Sequence, residues 1–154
     1  MSFWKELFDV YQQQLQSKRL AKGAGRSLIQ EIRINLSLMA EALQHPESCA
    51  ALLANLEDTA FRHYCQQGYE FEQLNPQSLN KTTTAAIPEF NQYLQQSTEE
   101  LIYRAYQRVK VLKAFAAANN AKDSQRRIQS LLRYHVMLVA HVQSQPLRLS
   151  HSRS

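Results

Sequence analysis

Residues 123–144 read DSQRRIQSLLRYHVMLVAHVQS, and this stretch decides the fold. Ile128, Leu131, Leu132, Leu138, Val139 and Val142 recur at the steps of one helical face, and His135 falls inside that face. Asp123 suits an N-cap and Pro146 cannot continue a helix, so the spacing predicts one long helix from Asp123 to about Ser144. Residues 145–154 then read as a flexible polar tail.

A second long segment precedes it. From Glu89, just after Pro88, to the Asn119-Asn120 pair, Phe90, Leu94, Leu101, Ala105, Val109, Leu112 and Phe115 keep helical spacing. Upstream, His45-Pro46-Glu47 reads as a stop and a new start, because proline suits the first helical turn. Cys49, Leu52, Leu53, Leu56, Ala60 and Tyr64 carry that helix to about Gln67, and Gly68 ends it. Periodicity fades between Tyr69 and Pro88, where Asn75-Pro76 can open a short helix through Leu79, with Leu74 and Ile87 as anchors.

Ile29, Ile32, Leu36, Met39 and Leu43 form a coiled-coil-like seam in a helix from about Ser27 to Leu43, with Ile34 and Leu38 on the opposite side. Phe3, Trp4, Leu7, Phe8, Tyr11 and Leu15 mark a first helix over residues 3–19, capped by Ser2. Gly23 and Gly25 separate the two as a solvated turn, since each glycine inside a helix costs about 1 kcal/mol relative to Ala. The reading is therefore all-α: an up-and-down antiparallel bundle of four to five helices, forming a single domain over residues 1–144. Three Gly and four Pro leave few sites for the turns of a many-stranded sheet.

Charge is distributed unevenly along this pattern. Residues 1–40 hold six Lys/Arg and three Asp/Glu, residues 41–100 hold two and nine, and residues 101–154 hold ten and one. The basic last third of a chain with net charge +5 points to a negatively charged partner. On a helical wheel, Tyr103, Tyr106, Lys110 and Lys113 fall away from the apolar face of the 89–119 segment, and Arg126 and Arg133 do so on the 123–144 segment. Two adjacent antiparallel helices merge these six into one basic, tyrosine-bearing surface. Lys18, Arg19, Lys22 and Arg26, with Arg33 beyond them, form a secondary basic cluster around the glycines.

No apolar run approaches the roughly 20 residues that span a bilayer, so no membrane association is expected. Met1–Val10 mixes Lys5, Glu6 and Asp9 with its aromatics, unlike a signal peptide, and a cytoplasmic location is expected. Cys49 and Cys65, if on one continuous helix, lie about 24 Å apart and remain reduced thiols. His63 and Cys65 at i, i+2 do not converge, so no metal site and no cofactor is expected. Glu99 and Glu100 with Ser97 resemble a capping box inside the 89–119 helix.

These features lead to a non-catalytic interaction protein, an accessory subunit or adaptor, that presents the basic face to an acidic protein partner. Self-association through the same charge polarity and the 29–43 seam belongs to that reading. The alternatives are a nucleic-acid-binding subunit using the same face and, in a different class, an enzyme with a pocket near His63, Arg108 and His135. In this picture Arg108 lies within an apolar face and reaches Glu57 or Asp58 or snorkels to solvent.

Overall fold

The computed structural model describes residues 25–84, 87–118 and 121–144, and among them every regular element is helical. The elements are α1 (Arg26–Gln44), α2 (Cys49–Leu53), α3 (Thr59–Gln66), α4 (Lys81–Thr84), α5 (Thr98–Ala118) and α6 (Ala121–Val142). Short 3₁₀ turns at Pro46–Ser48, Phe71–Gln73 and Pro88–Tyr93 connect them. The expected first helix, its cap Ser2, Lys18, Arg19, Lys22 and the 145–154 tail lie outside the described residues.

The central element is α6. From Leu131 to Val142 it buries Tyr134, His135, Val136, Met137, Ala140 and His141 as well as the expected apolar positions. A helix buried around most of its circumference is a core helix, not a surface helix with one apolar stripe. α1 packs against it, as does α5, and α4 and the Pro46–Ser48 turn also touch it. The two-residue link between α5 and α6, together with their extensive packing, makes them an antiparallel hairpin.

The seam on α1 behaves as read, with Ile29, Ile32, Leu36, Met39 and Leu43 all buried. It is spent within the molecule, which removes it as a contact for a second copy. Gly25 sits at φ 95°, immediately before α1, and its N–H donates to the Tyr64 hydroxyl at 3.0 Å. A Cβ there would lie 2.5 Å from Leu74 Cδ2 and 2.9 Å from the Tyr69 hydroxyl oxygen, so this glycine serves a close approach and not a solvated turn.

The helix expected over residues 46–67 is broken into α2 and α3. Asn35 on α1 holds the break: its Nδ2 donates to the Glu57 carbonyl at 2.8 Å, and its Oδ1 accepts the Glu57 N–H at 2.9 Å. One turn earlier, Glu31 accepts the Ala60 and Phe61 N–H groups at 2.8 and 3.1 Å. A carboxylate from another helix thus satisfies the unpaired donors at the start of α3. Cys49 and Cys65 consequently occupy different helices, and both are free thiols.

The 89–119 expectation is corrected in the same way. Pro88–Tyr93 is a 3₁₀ turn, Gln95 adopts φ 77°, and α5 begins only at Thr98. Ser97 and Glu100 form the reciprocal box: Glu100 N–H donates to Ser97 Oγ at 3.1 Å, and Ser97 N–H donates to Glu100 Oε1 at 2.8 Å. The box therefore starts the helix and is not internal to it. No helix forms over Asn75–Leu79, because Asn75 is drawn into the core. Its Nδ2 donates to the His141 carbonyl at 2.7 Å, and its own carbonyl accepts the Thr98 hydroxyl proton. Thr98 has only one proton to give, so His141 Nε2, 2.9 Å from Thr98 Oγ1, donates to it and the ring is the Nε2–H tautomer. Burial lowers the pKa of His141, in keeping with a neutral ring.

Candidate interaction surface

Helix α5 uses three sides. Leu101, Ala105, Val109 and Leu112 are buried in the core. Ile102 and Tyr106 are buried as well, and Tyr106 places its ring flat on Phe61 of α3, 4.2 Å between centroids and 6° from parallel. The Tyr106 hydroxyl donates to Glu31 Oε1 at 2.8 Å. Burial, followed by the Glu31 charge and that hydrogen bond, drives its pKa far above the ordinary tyrosine value. Tyr106 is thus not an exposed stacking platform. A wheel drawn for a helix with one apolar side misplaces it, because α5 contacts neighbours on two sides.

Tyr103 is 46% exposed, yet its ring stands edge-on to Phe61 and Phe71 at 5.3 and 5.9 Å. Its hydroxyl lies 3.5 Å from Cys65 Sγ. That hydrogen bond first, then burial, pushes the phenol up to about 12. Lys110 and Lys113 line a cleft of about 390 Å³ with Glu57 and Asp58, and Lys113 Nζ donates to the Leu56 carbonyl at 2.9 Å. These four predicted residues therefore belong to the flank of α5 that faces α3.

Arg126 and Arg133 lie elsewhere, along the seam between α5 and α6. There a cleft of about 520 Å³ is walled by Arg108, Val111 and Leu112 from α5 and by Arg126, Arg127 and Leu131 from α6. Arg108 does not reach Glu57 or Asp58. Its Nη2 donates to Ser130 Oγ at 2.8 Å, and its guanidinium carbon stands 5.2 Å from the Tyr134 ring centroid. Arg127 covers the Phe115 ring at 4.1 Å. Contacts of this kind hold a guanidinium in place without neutralising it.

A smaller cleft of about 260 Å³ continues the groove and shares Arg108 and Ser130 with the larger one. Arg133 donates from Nε to Glu89 Oε2 at 2.8 Å. Tyr93 stands edge-on to Tyr134 at 5.1 Å, and Arg104 approaches the Tyr93 ring at 5.7 Å. Within α5 and α6, Arg133 is the cation that meets a carboxylate among the described residues. Arg104, Arg108 and Arg127 contact rings, Lys113 contacts a carbonyl, and Lys110 and Arg126 are exposed.

The six predicted residues are thus divided between the two flanks of α5, and Arg104, Arg108 and Arg127 belong with Arg126 and Arg133. The signal for these three was their arginine chemistry, since each can lie over a ring while keeping its charge. Of the secondary cluster, Arg26 is exposed at the first position of α1, and Arg33 is buried. His63 is exposed on α3 and does not share a cleft with His135 among the described residues. His135 is buried, with Nδ1 3.0 Å from the Leu131 carbonyl, and loss of hydration lowers its pKa to about 4. A carbonyl only accepts, so Nδ1 carries the proton.

Among the described residues no cluster of three or more His, Cys, Asp or Glu is placed to hold a metal ion. Nor is any described helix long and apolar enough to cross a membrane. No known protein family, curated protein or solved structure matches this chain.

Proposed function

We propose that this chain is a non-catalytic helical interaction protein, an accessory subunit or adaptor, whose α5–α6 groove docks an acidic protein partner. The observation that carries the reading is the grouping of Arg108, Arg126 and Arg127 around an open cleft while none of them enters an ion pair among the described residues. Like charges held together raise the energy of the free protein, and an anionic partner relieves that cost. Nucleic acid is the weaker reading, because Tyr103 and Tyr106 sit on the other flank of α5 and offer no stacking surface beside the arginines.

Neither histidine supports catalysis: the His135 ring is buried in the core with its Nδ1 proton on a backbone carbonyl, and His63 is exposed on α3 and lines neither cleft of the groove. The reading keeps the up-and-down bundle as the architecture, with α1, α5 and α6 as its described long members. It also keeps a reducing, cytoplasmic setting, which the two free thiols support. The test is fluorescence anisotropy with a labelled oligoglutamate peptide and, separately, a mixed-sequence oligonucleotide at low salt. The peptide is expected to bind and to be lost on Arg126→Glu with Arg127→Glu. Absence of peptide binding, or binding indifferent to the double reversal, refutes the proposal, and preference for the oligonucleotide replaces it.

A further inference from the structure

We infer that the groove selects a partner segment carrying an acidic and an aromatic side chain about one helical turn apart. The inference rests on the docking reading above and adds the partner's side-chain pattern. The pattern comes from the molecule itself. The Pro88–Tyr93 turn is already seated on one end of the arginine row, anchored by Phe90, which is buried. It offers Glu89 to Arg133 and, four residues later, lays Tyr93 against Tyr134 beneath Arg104.

The other end of the row repeats the same chemistry. Arg126 precedes Arg133 by two helical turns and so projects from nearly the same side of α6. Arg126, Arg127 and Arg108 there surround Val111, which is 51% exposed above the buried Leu112 and Leu131. A carboxylate meets guanidinium forks, which suit it in planar, paired geometry. An aromatic ring covers the exposed Val111 and lies against a guanidinium, as Tyr93 does under Arg104. A purely acidic segment satisfies the first requirement and leaves Val111 wet.

The experiment titrates the full chain with four labelled peptides of one background: Glu and Tyr four residues apart, Gln in place of Glu, Ala in place of Tyr, and oligoglutamate. The Glu/Tyr peptide is expected to bind about tenfold or more tightly than each of the other three, the equivalent of one charge-assisted or aromatic contact. Arg126→Glu with Arg127→Glu is expected to remove that advantage, with circular dichroism unchanged because Arg126 and Arg127 are both exposed. Arg126→Gln, which adds no acid, should reduce it in part. Equal binding of oligoglutamate and the Glu/Tyr peptide, both lost on charge reversal, overturns the pattern and leaves acidic docking intact. Binding of none of the peptides, or binding unaffected by reversal, overturns both.

Discussion

Replacing His135 by Leu should flatten the dependence of stability on pH in the acid range. The side chain is buried in the centre of α6, and loss of hydration brings its pKa from an ordinary value near 6.5 down to about 4. The unfolded chain therefore takes up a proton as pH falls below about 6.5, while the folded chain resists until about pH 4. Stability is complete above the unfolded value and drains away between the two. Linkage over that window gives a loss of about 2 kcal/mol between about pH 7.5 and about pH 5 from this residue. His141, also lowered by burial, adds in the same direction in both proteins and cancels from the comparison. Urea unfolding of the wild type and of His135→Leu, followed by circular dichroism at the two pH values, isolates the difference. The variant gives up the bond from Nδ1 to the Leu131 carbonyl, a change of within about 1.5 kcal/mol at neutral pH. Equal pH slopes for the two proteins would show that the imidazole is solvated in the folded state, and the reasoning fails.

Three further outcomes follow from single contacts. Tyr106→Phe should lower the unfolding free energy by about 1.5–3 kcal/mol, because a buried carboxylate loses one of its donors, and a loss under about 0.5 kcal/mol in urea melts argues against that hydrogen bond. Gly25→Ala should destabilise by more than about 1 kcal/mol, since it combines a left-handed backbone with a Cβ pressed on Leu74, and an unchanged melting temperature contradicts the close approach. Arg126→Gln should raise the melting temperature at low salt, with the gain shrinking as salt is added; destabilisation instead would mean that the guanidinium supports the fold.

The parts of the fold that depend on local periodicity were legible in the sequence. Ile29, Ile32, Leu36, Met39 and Leu43 are buried as their spacing requires, while Ile34 on the opposite side is exposed, and the buried face of α6 includes Ile128, Leu131, Leu132, Leu138, Val139 and Val142. What was illegible depends on polar groups far away in the chain. Asn55 and Asp58 are only mildly unfavourable in a helix, and the break near them becomes favourable because Asn35 and Glu31 satisfy the released backbone groups. Pro88 is a stronger start signal on paper than Ser97, but the reciprocal bonds of Ser97 and Glu100 fix where α5 begins. The site suffered most from this. The wheel correctly separated Lys110 from the core, yet it exposed Tyr106, whose burial follows from Glu31 and Phe61 on helices that the wheel does not contain.

The same partition explains where the free charge lies. Glu31 on α1 is committed to Tyr106 and to the first turn of α3, on the flank of α5 away from the α5–α6 groove. Asp58 is taken by Arg62, and Glu89 by Arg133. Glu89 makes its pair within the groove, and among the described residues Asp123 is the one acid lining the larger cleft. Arg108 and Arg127 are held over aromatic rings, where a guanidinium is fixed in position but keeps its charge. A fold that merely needed to neutralise these cations had acids enough in residues 41–100 to do so. Arg108, Arg126 and Arg127 are thereby left without a carboxylate partner among the described residues, the feature from which the acidic partner is proposed.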